Sequence, residues 1–322
     1  MEYVRLGSTE LSVSVAGLGC GGSSRLGTVT GNSKKDSINI VKRALELGVN
    51  FFDTAKAYGT EEIVGEALQG TKRDDVIIST KSLVRRGGKF FSAHEFQSGL
   101  ESSLSSLKMD YIDIFHLHAV LADDYWRVKD ELVPVLLRAK EDGKIRHLGI
   151  TESPPNDYGH SLLEQVFKEN CPFEVIMFGF HLMHQNARSS VFPATAREDI
   201  GTLIMFAVRS IFSDAHYLAS KLKELSDNGL LPRIYNEIAI FQELLIGKGG
   251  AESIIDAAYR YARHEPGANV VLLGTGNLEH LETNIKSILR PPLKESALKI
   301  LEKDFSQLEG VGLDLPRGYR ER

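Results

Sequence analysis

The sequence predicts an α/β fold: one (β/α)8 TIM barrel with an N-terminal β-hairpin, spanning residues 1–322 as a single domain. Three observations predict it. Short strand-like runs alternate with helical stretches eight times along the chain, which argues for parallel strands joined by crossover helices. Eight such units fill the length that a barrel of this type uses. Three successive strand-like runs also end in Asp53, Lys81 and His118, with Tyr58 just beyond the first. If those strands are parallel neighbours, the four side chains meet at one face of one sheet.

The elements follow in order. Residues 3–6 and 11–14 alternate around Gly7-Ser8 and read as the hairpin. Residues 15–22, VAGLGCGG, form a first strand entering a glycine-rich turn. Gly21 and Gly22 there let the backbone approach a ligand closely, or make only a tight loop. The segment is not GxGxxG and has no acidic partner at dinucleotide-fold spacing. A helix is expected over 36–47, with Gly48 at its end, and the second strand is VNFF, leading into Asp53. A short helix over 61–68 precedes the third strand, 75–80, which ends at Lys81. Helix 92–107 and strand 111–118 follow, then helix 130–141, strand 145–150, helix 162–168 and strand 173–178. A seventh strand covers 203–206, a helix 251–263, an eighth strand 270–273, and a last helix 278–288. Residues 213–250 exceed one loop and one helix, so extra helical structure is expected there. The tail from Gly310 reads as a lid-like or unstructured segment.

Composition narrows the class. The chain is 42% hydrophobic and 25% charged, as ordinary globular proteins are, with a net charge of −5 that supplies no basic footprint for nucleic acid. Cys20 and Cys171 are the two cysteines, and neither has metal-type spacing. They read as free thiols in a reducing compartment, so a cytoplasmic location is expected. No membrane span and no metal are expected. The expected oligomeric state is a monomer or small homo-oligomer.

The placement of the four polar residues suggests chemistry. Alone, Asp53 reads as a helix cap, Lys81 as a strand-end surface lysine, and His118 as a satisfied core histidine. Together at the C-terminal ends of barrel strands they occupy the place where such barrels carry out their reactions. A lysine ammonium near Tyr58 favours the phenolate and brings the hydroxyl into a useful general-acid range. Asp53 would hold Lys81, and His118 could hydrogen-bond a substrate carbonyl. A proton donor beside a carbonyl needs a hydride source, and no side chain is one, so a nicotinamide cofactor is implied. His116 shares a face with His118 by two-residue alternation and is read as structural, one layer deeper.

The segments LELGVNFFDTAKAYGTEEIVGEAL from Leu45, IISTK ending at Lys81 and YIDIFHLH ending at His118 resemble the aldo-keto reductase superfamily. So do GKIRHLGIT at 143–151 and GTGNLEHLETN at 274–284. The resemblance implies a (β/α)8 barrel that reduces small-molecule aldehydes and ketones with NADP(H) or NAD(H). It implies a catalytic tetrad of Asp53, Tyr58, Lys81 and His118, with Tyr58 as proton donor. For the cofactor it implies Asp53, the turn at Gly21 and Gly22, and Thr151 and Glu152 where the family commonly has Ser-Asn on the carboxamide. Met177 stands where the family has Gln, and Met205 where many members stack an aromatic on nicotinamide. Arg209 and Ser210 suit the pyrophosphate. Gly274 and His280 fall where NADP-preferring members carry Lys and Arg. Thr275, Gly276 and Asn277 supply loop donors, and Asn284 faces adenine. The family's habit tips the expectation to NADPH, although the missing basic pair argues for NADH. Two other readings compete: a nucleotide-sensing binding protein on the same barrel with little turnover, and an unrelated barrel such as a metal hydrolase. Substrate choice would rest on loops 82–91 and 119–129 and on the tail, with Phe90, Phe91, Tyr125 and Trp126 as pocket aromatics or as packing residues.

Overall fold

The computed structural model describes residues 1–168 and 171–313. Eight parallel strands close into a barrel in chain order: Ala16–Gly19, Phe51–Asp53, Ile77–Leu83, Ile112–His118, Ile145–Thr151, Val175–Gly179, Gly201–Met205 and Val270–Leu273. The eighth pairs back on the first through Val271↔Ala16, Leu272↔Gly17 and Leu273↔Leu18. The hairpin Tyr3–Arg5 with Ser12–Ser14 is antiparallel, as expected. Its Arg5 makes paired hydrogen bonds of 2.9 and 3.0 Å to Asp199, ahead of the seventh strand.

Local signals set several helix starts. Ser33 and Ser92 each accept from the third residue of their helix while Asp36 and Glu95 bond back to the cap nitrogen, giving reciprocal capping boxes on Lys34–Glu46 and Ala93–Leu107. Ser253 and Asn277 cap Ile254–Arg263 and Leu278–Ile288. Residues 213–250 do hold extra helical structure, chiefly Ala215–Asp227, Ile238–Gln242 and a wide turn at Glu243–Lys248.

Some expectations are corrected. The third strand runs on to Leu83, so Lys81 lies within it. The helix expected from Asp130 begins at Tyr125. Tyr125 is therefore buried packing, and Trp126 is 43% exposed on the helix surface. Three helices had no expectation, Ala187–Arg197, the short Ser210–Ser213 and Glu295–Phe305, so Leu278–Ile288 is not the last. The first of these carries Pro193 inside it, which masks a helical pattern in sequence. Of the glycine-rich tail, residues 310–313 are described: Leu313 is buried beside Gly179. The rest of the tail lies outside the described residues.

The barrel interior changes character along its axis. At the hairpin end Leu6, Leu11 and Val13 close over Phe51, Ile77, Ile114, Val175, Leu203 and Val270. Side chains two residues further along each strand point to the same interior. Those positions are Asp53, Ser79, His116, Met177, Met205 and Leu272. Two more residues along come Lys81, His118 and Gly179. On the second to fourth strands the interior thus passes from apolar to polar toward the C-terminal ends, while Met177, Met205 and Leu272 keep the far side apolar.

Candidate active site

The second strand ends at Asp53, and its neighbour presents Ser79 and Lys81 on the same interior face. Lys81 is 1% exposed. Its Nζ donates to both Asp53 oxygens, at 2.7 and 2.6 Å, and to the Thr54 carbonyl at 2.8 Å. Three donors on three acceptors satisfy the buried ammonium. Burial raises the Asp53 carboxyl above its ordinary range, and the charge and hydrogen bonds of Lys81, with the Ser79 hydroxyl, pull it back.

Tyr58 reaches the same point from the short turn Lys56–Tyr58 after Asp53. Lys81 Nζ lies 5.2 Å from the centre of its ring. A side chain at Gly21 would put Cβ 2.4 Å from that ring, so the glycine admits Tyr58 to this position. His118 ends the fourth strand, with Nε2 3.5 Å from the Tyr58 hydroxyl and the two rings edge to face. Burial and the Lys81 charge push the His118 imidazole down to about 3, so it is neutral at pH 7. A contact of 3.5 Å is at the long limit for a hydrogen bond. Hydroxyl and imidazole therefore flank a point that one substrate oxygen could occupy. All four expected catalytic residues come together.

Behind them lies a pair of which sequence reading found only His116, as a structural residue. Ser79 Oγ donates to Asp53 Oδ1 at 2.8 Å and meets His116 Nε2 at 3.0 Å. His116 is fully buried one layer below His118, as its alternation implied. Ser79 could have been found the same way, two residues before Lys81 on one strand.

The expected coenzyme residues divide. Arg209, Gly274, Thr275, His280 and Asn284 line one cavity of about 890 Å³ beside the seventh and eighth strand ends. Hydroxyls of Ser210, Ser253, Thr283 and Ser287 share its wall, together with Asp214, none of which the sequence reading assigned except Ser210. Barrels commonly hold phosphate in the loops after these two strands. Gly274 sits where an added Cβ would be 3.3 Å from the Gly19 carbonyl, so the two glycine turns run close together. Gly22 opens on free space. Met205 is half-buried at the end of its strand, within reach of the mouth, whereas Met177 is 2% exposed in the apolar interior.

Other candidates are occupied by the fold. Gly276 is pressed on Gly27, and Asn277 spends its side-chain oxygen on the His280 nitrogen as a helix cap. Thr151 Oγ1 accepts from the Ala119 nitrogen at 2.8 Å. Glu152 gives one oxygen to the Gly179 nitrogen at 3.0 Å and the other to His160 Nδ1 at 2.8 Å. His160 Nε2 in turn meets Asn186 Oδ1 at 3.1 Å. Burial raises the Glu152 carboxyl. Burial pulls the His160 imidazole down, but the charge and hydrogen bond of Glu152, the hydrogen bond to Asn186 and the charge of Asp157 together raise it. Both Glu152 oxygens thus tie together the ends of the fifth and sixth strands and the loop before helix Ser161–Val166.

Among the described residues no group of three His, Cys, Asp or Glu is arranged to hold a metal. Burial also pushes the Cys20 thiol up, which keeps it neutral and weakly nucleophilic. No helix among the described residues is long and apolar enough to cross a membrane.

The profile of the Aldo/keto reductase family matches residues 18–303. An uncharacterized oxidoreductase of Bacillus subtilis, YqkF, is 28% identical over 320 residues, covering 95% of this chain and 97% of its own. L-galactose dehydrogenase of Arabidopsis thaliana is 36% identical over 160 residues, 48% of this chain and 49% of its own. The holo form of aldo-keto reductase AKR11C1 from Bacillus halodurans superposes with a TM-score of 0.71, at 22% identity and 99% coverage of both chains. The last likeness shows the barrel alone, while the family match spans nearly every strand and both walls of the site. The chain is a member of the aldo/keto reductase family, an oxidoreductase whose coenzyme is NADP(H) or NAD(H).

Proposed function

We propose that this chain, acting as one domain, reduces aldehydes or ketones to alcohols with Tyr58 as the proton donor. The observation that carries the reading is the convergence of the Tyr58 hydroxyl and His118 Nε2, 3.5 Å apart, above the closed Lys81–Asp53 pair. The coenzyme supplies a hydride to the carbonyl carbon when bound. The rest is done by the chain. The neutral His118 imidazole donates a hydrogen bond that orients the carbonyl oxygen. Tyr58 gives its proton to that oxygen as negative charge develops there. The Lys81 ammonium below the ring stabilises the phenolate left behind, and Asp53 keeps the ammonium in place.

The cavity fits one half of a dinucleotide. Its volume suits a ligand of that size, and its wall offers a guanidinium, several hydroxyls and the Asn284 amide. We infer a preference for NAD(H). A 2′-phosphate would add about two negative charges. The wall offers one guanidinium, Arg209, and one imidazole, His280, against the carboxylate of Asp214. An imidazole is a poor substitute for the planar guanidinium fork that grips phosphate.

One experiment tests both statements. NADH and NADPH binding is measured by fluorescence titration, and turnover with a reactive aromatic aldehyde is followed in wild type and Tyr58→Phe. The expected result is tighter NADH binding by about tenfold, and turnover lost by about 10²–10⁴-fold in Tyr58→Phe with coenzyme still bound. His280→Arg should narrow the coenzyme gap by restoring a bidentate phosphate partner. Near-normal turnover of Tyr58→Phe removes Tyr58 from the mechanism. Tight coenzyme binding without turnover in wild type favours the sensor reading.

A further inference from the structure

We propose that Ser79 and His116 are positioning residues for the reaction above: they form the inner end of a hydrogen-bonded line that holds Asp53 ionised against Lys81. The inference rests on Tyr58 being the proton donor. Asp53 lies inside the barrel, 3% exposed, where every donor to its carboxylate counts. Lys81 serves both oxygens from the mouth side, and Ser79 serves Oδ1 from below.

The direction of the line follows from proton counting. A serine hydroxyl has one proton, and an ionised carboxylate can only accept. Ser79 therefore donates to Asp53, and its 3.0 Å contact with His116 Nε2 must be received from the imidazole. That places the His116 proton on Nε2. The line then reads His116 to Ser79 to Asp53, met from the other side by Lys81. Burial and the Lys81 charge hold His116 well below the usual imidazole range, so it serves as a neutral donor.

The space for the ring is built in. A Cβ at Gly149, paired with His116 on the neighbouring fifth strand, would stand 2.1 Å from His116 Nδ1, so that strand must carry glycine for this histidine to fit. The titratable groups around the line are few. His118 and Lys81 lie above His116. Cys20 faces Asp53 and Lys81 from the first strand's end and stays neutral. Glu61 stands behind the third strand, bound to the Thr80 hydroxyl at 2.7 Å.

Weakening the line makes Asp53 easier to protonate. Lys81 then loses its buried counter-ion, its ammonium is held less firmly beside the Tyr58 ring, and the phenolate of Tyr58 is less favoured. Alcohol oxidation, which needs Tyr58 as a base, is the more sensitive direction at neutral pH.

The test is the pH profile of kcat in both directions for wild type, Ser79→Ala, His116→Leu and His116→Gln, with coenzyme affinity titrated on the same preparations. Ser79→Ala and His116→Leu should move the oxidation limb upward by about one pH unit. That is about a tenfold loss of oxidation at neutral pH. Coenzyme affinity should stay within about twofold. His116→Gln keeps an N–H donor toward Ser79 and should return the profile toward wild type. Ser79→Ala is small enough to fold if His116→Leu does not. Unshifted profiles overturn the proposal, and so does a rate loss equal at all pH values, which would mark a packing role. If wild type and Tyr58→Phe turn over alike, it is the proton-donor reading that falls.

Discussion

The two sides of the barrel mouth are built differently. On the side of the second to fourth strands, Asp53, Lys81, Ser79 and His116 are closed on one another by hydrogen bonds of 2.6 to 3.0 Å. On the side of the seventh and eighth strands there is a cavity of about 890 Å³ walled by hydroxyls, Arg209, Asp214 and His280. The first side is organised before any ligand arrives. In a water-poor interior such groups act strongly and need no rearrangement during reaction. The second side, which under the proposed function admits and releases the coenzyme, is open. That difference explains why every expected catalytic type is present while several expected coenzyme positions carry other residues. In a closed buried network a change in one member disturbs its partners, whereas an open wall can bind through several alternative donors.

The sharpest way to break the closed side is Lys81→Met. It leaves the Asp53 carboxylate buried without its cation. Loss of one partner of a buried pair costs about 3–5 kcal/mol, so the denaturant midpoint should fall sharply along with activity. A midpoint near wild type would mean that the pair contributes little and that Asp53 simply takes up a proton.

Gly21→Ala should separate geometry from stability. Its Cβ would lie 2.4 Å from the Tyr58 ring, so the ring must shift. Misplacement of about 1 Å can cost about 10²-fold in rate. The expected outcome is a turnover loss of about 10–100-fold with stability and coenzyme affinity little changed. Unchanged turnover would show that Tyr58 works from more than one position.

The smallest effect tests the other side. Glu152→Gln keeps an acceptor for the Gly179 nitrogen but removes the charge facing His160. Stability should drop by about 1 kcal/mol, as for one net hydrogen bond. Coenzyme affinity should hold, because both carboxylate oxygens are used within the fold. A marked loss of coenzyme affinity with unchanged stability would return Glu152 to the carboxamide site.

Much of this could be read in one dimension. The strand ends at Asp53 and His118 stood out because a buried apolar run stops at a polar residue. Lys81 was found for the same reason, although its strand continues through Ser82 and Leu83. Helix Ala187–Arg197 was not, because Pro193 and weak patterning hide it, and helix Glu295–Phe305 lay past the last expected element. Trp126 and Tyr125 looked like loop aromatics until the helix was found to start at Tyr125. Glu152 and Asn277 were placed on the coenzyme by position, and only their hydrogen bonds show that the fold already uses them.

The chain alone determined the barrel, the order of its strands and the four residues at its mouth. Strand alternation and the residue at each strand end are local properties, and a parallel barrel turns them into one surface. Tertiary structure decided what each polar group faces. Gly149 makes room for His116, Gly21 for Tyr58, and Ser79 links two strands that are distant in sequence. Those relations depend on distances across the interior, which side-chain order along a strand does not contain.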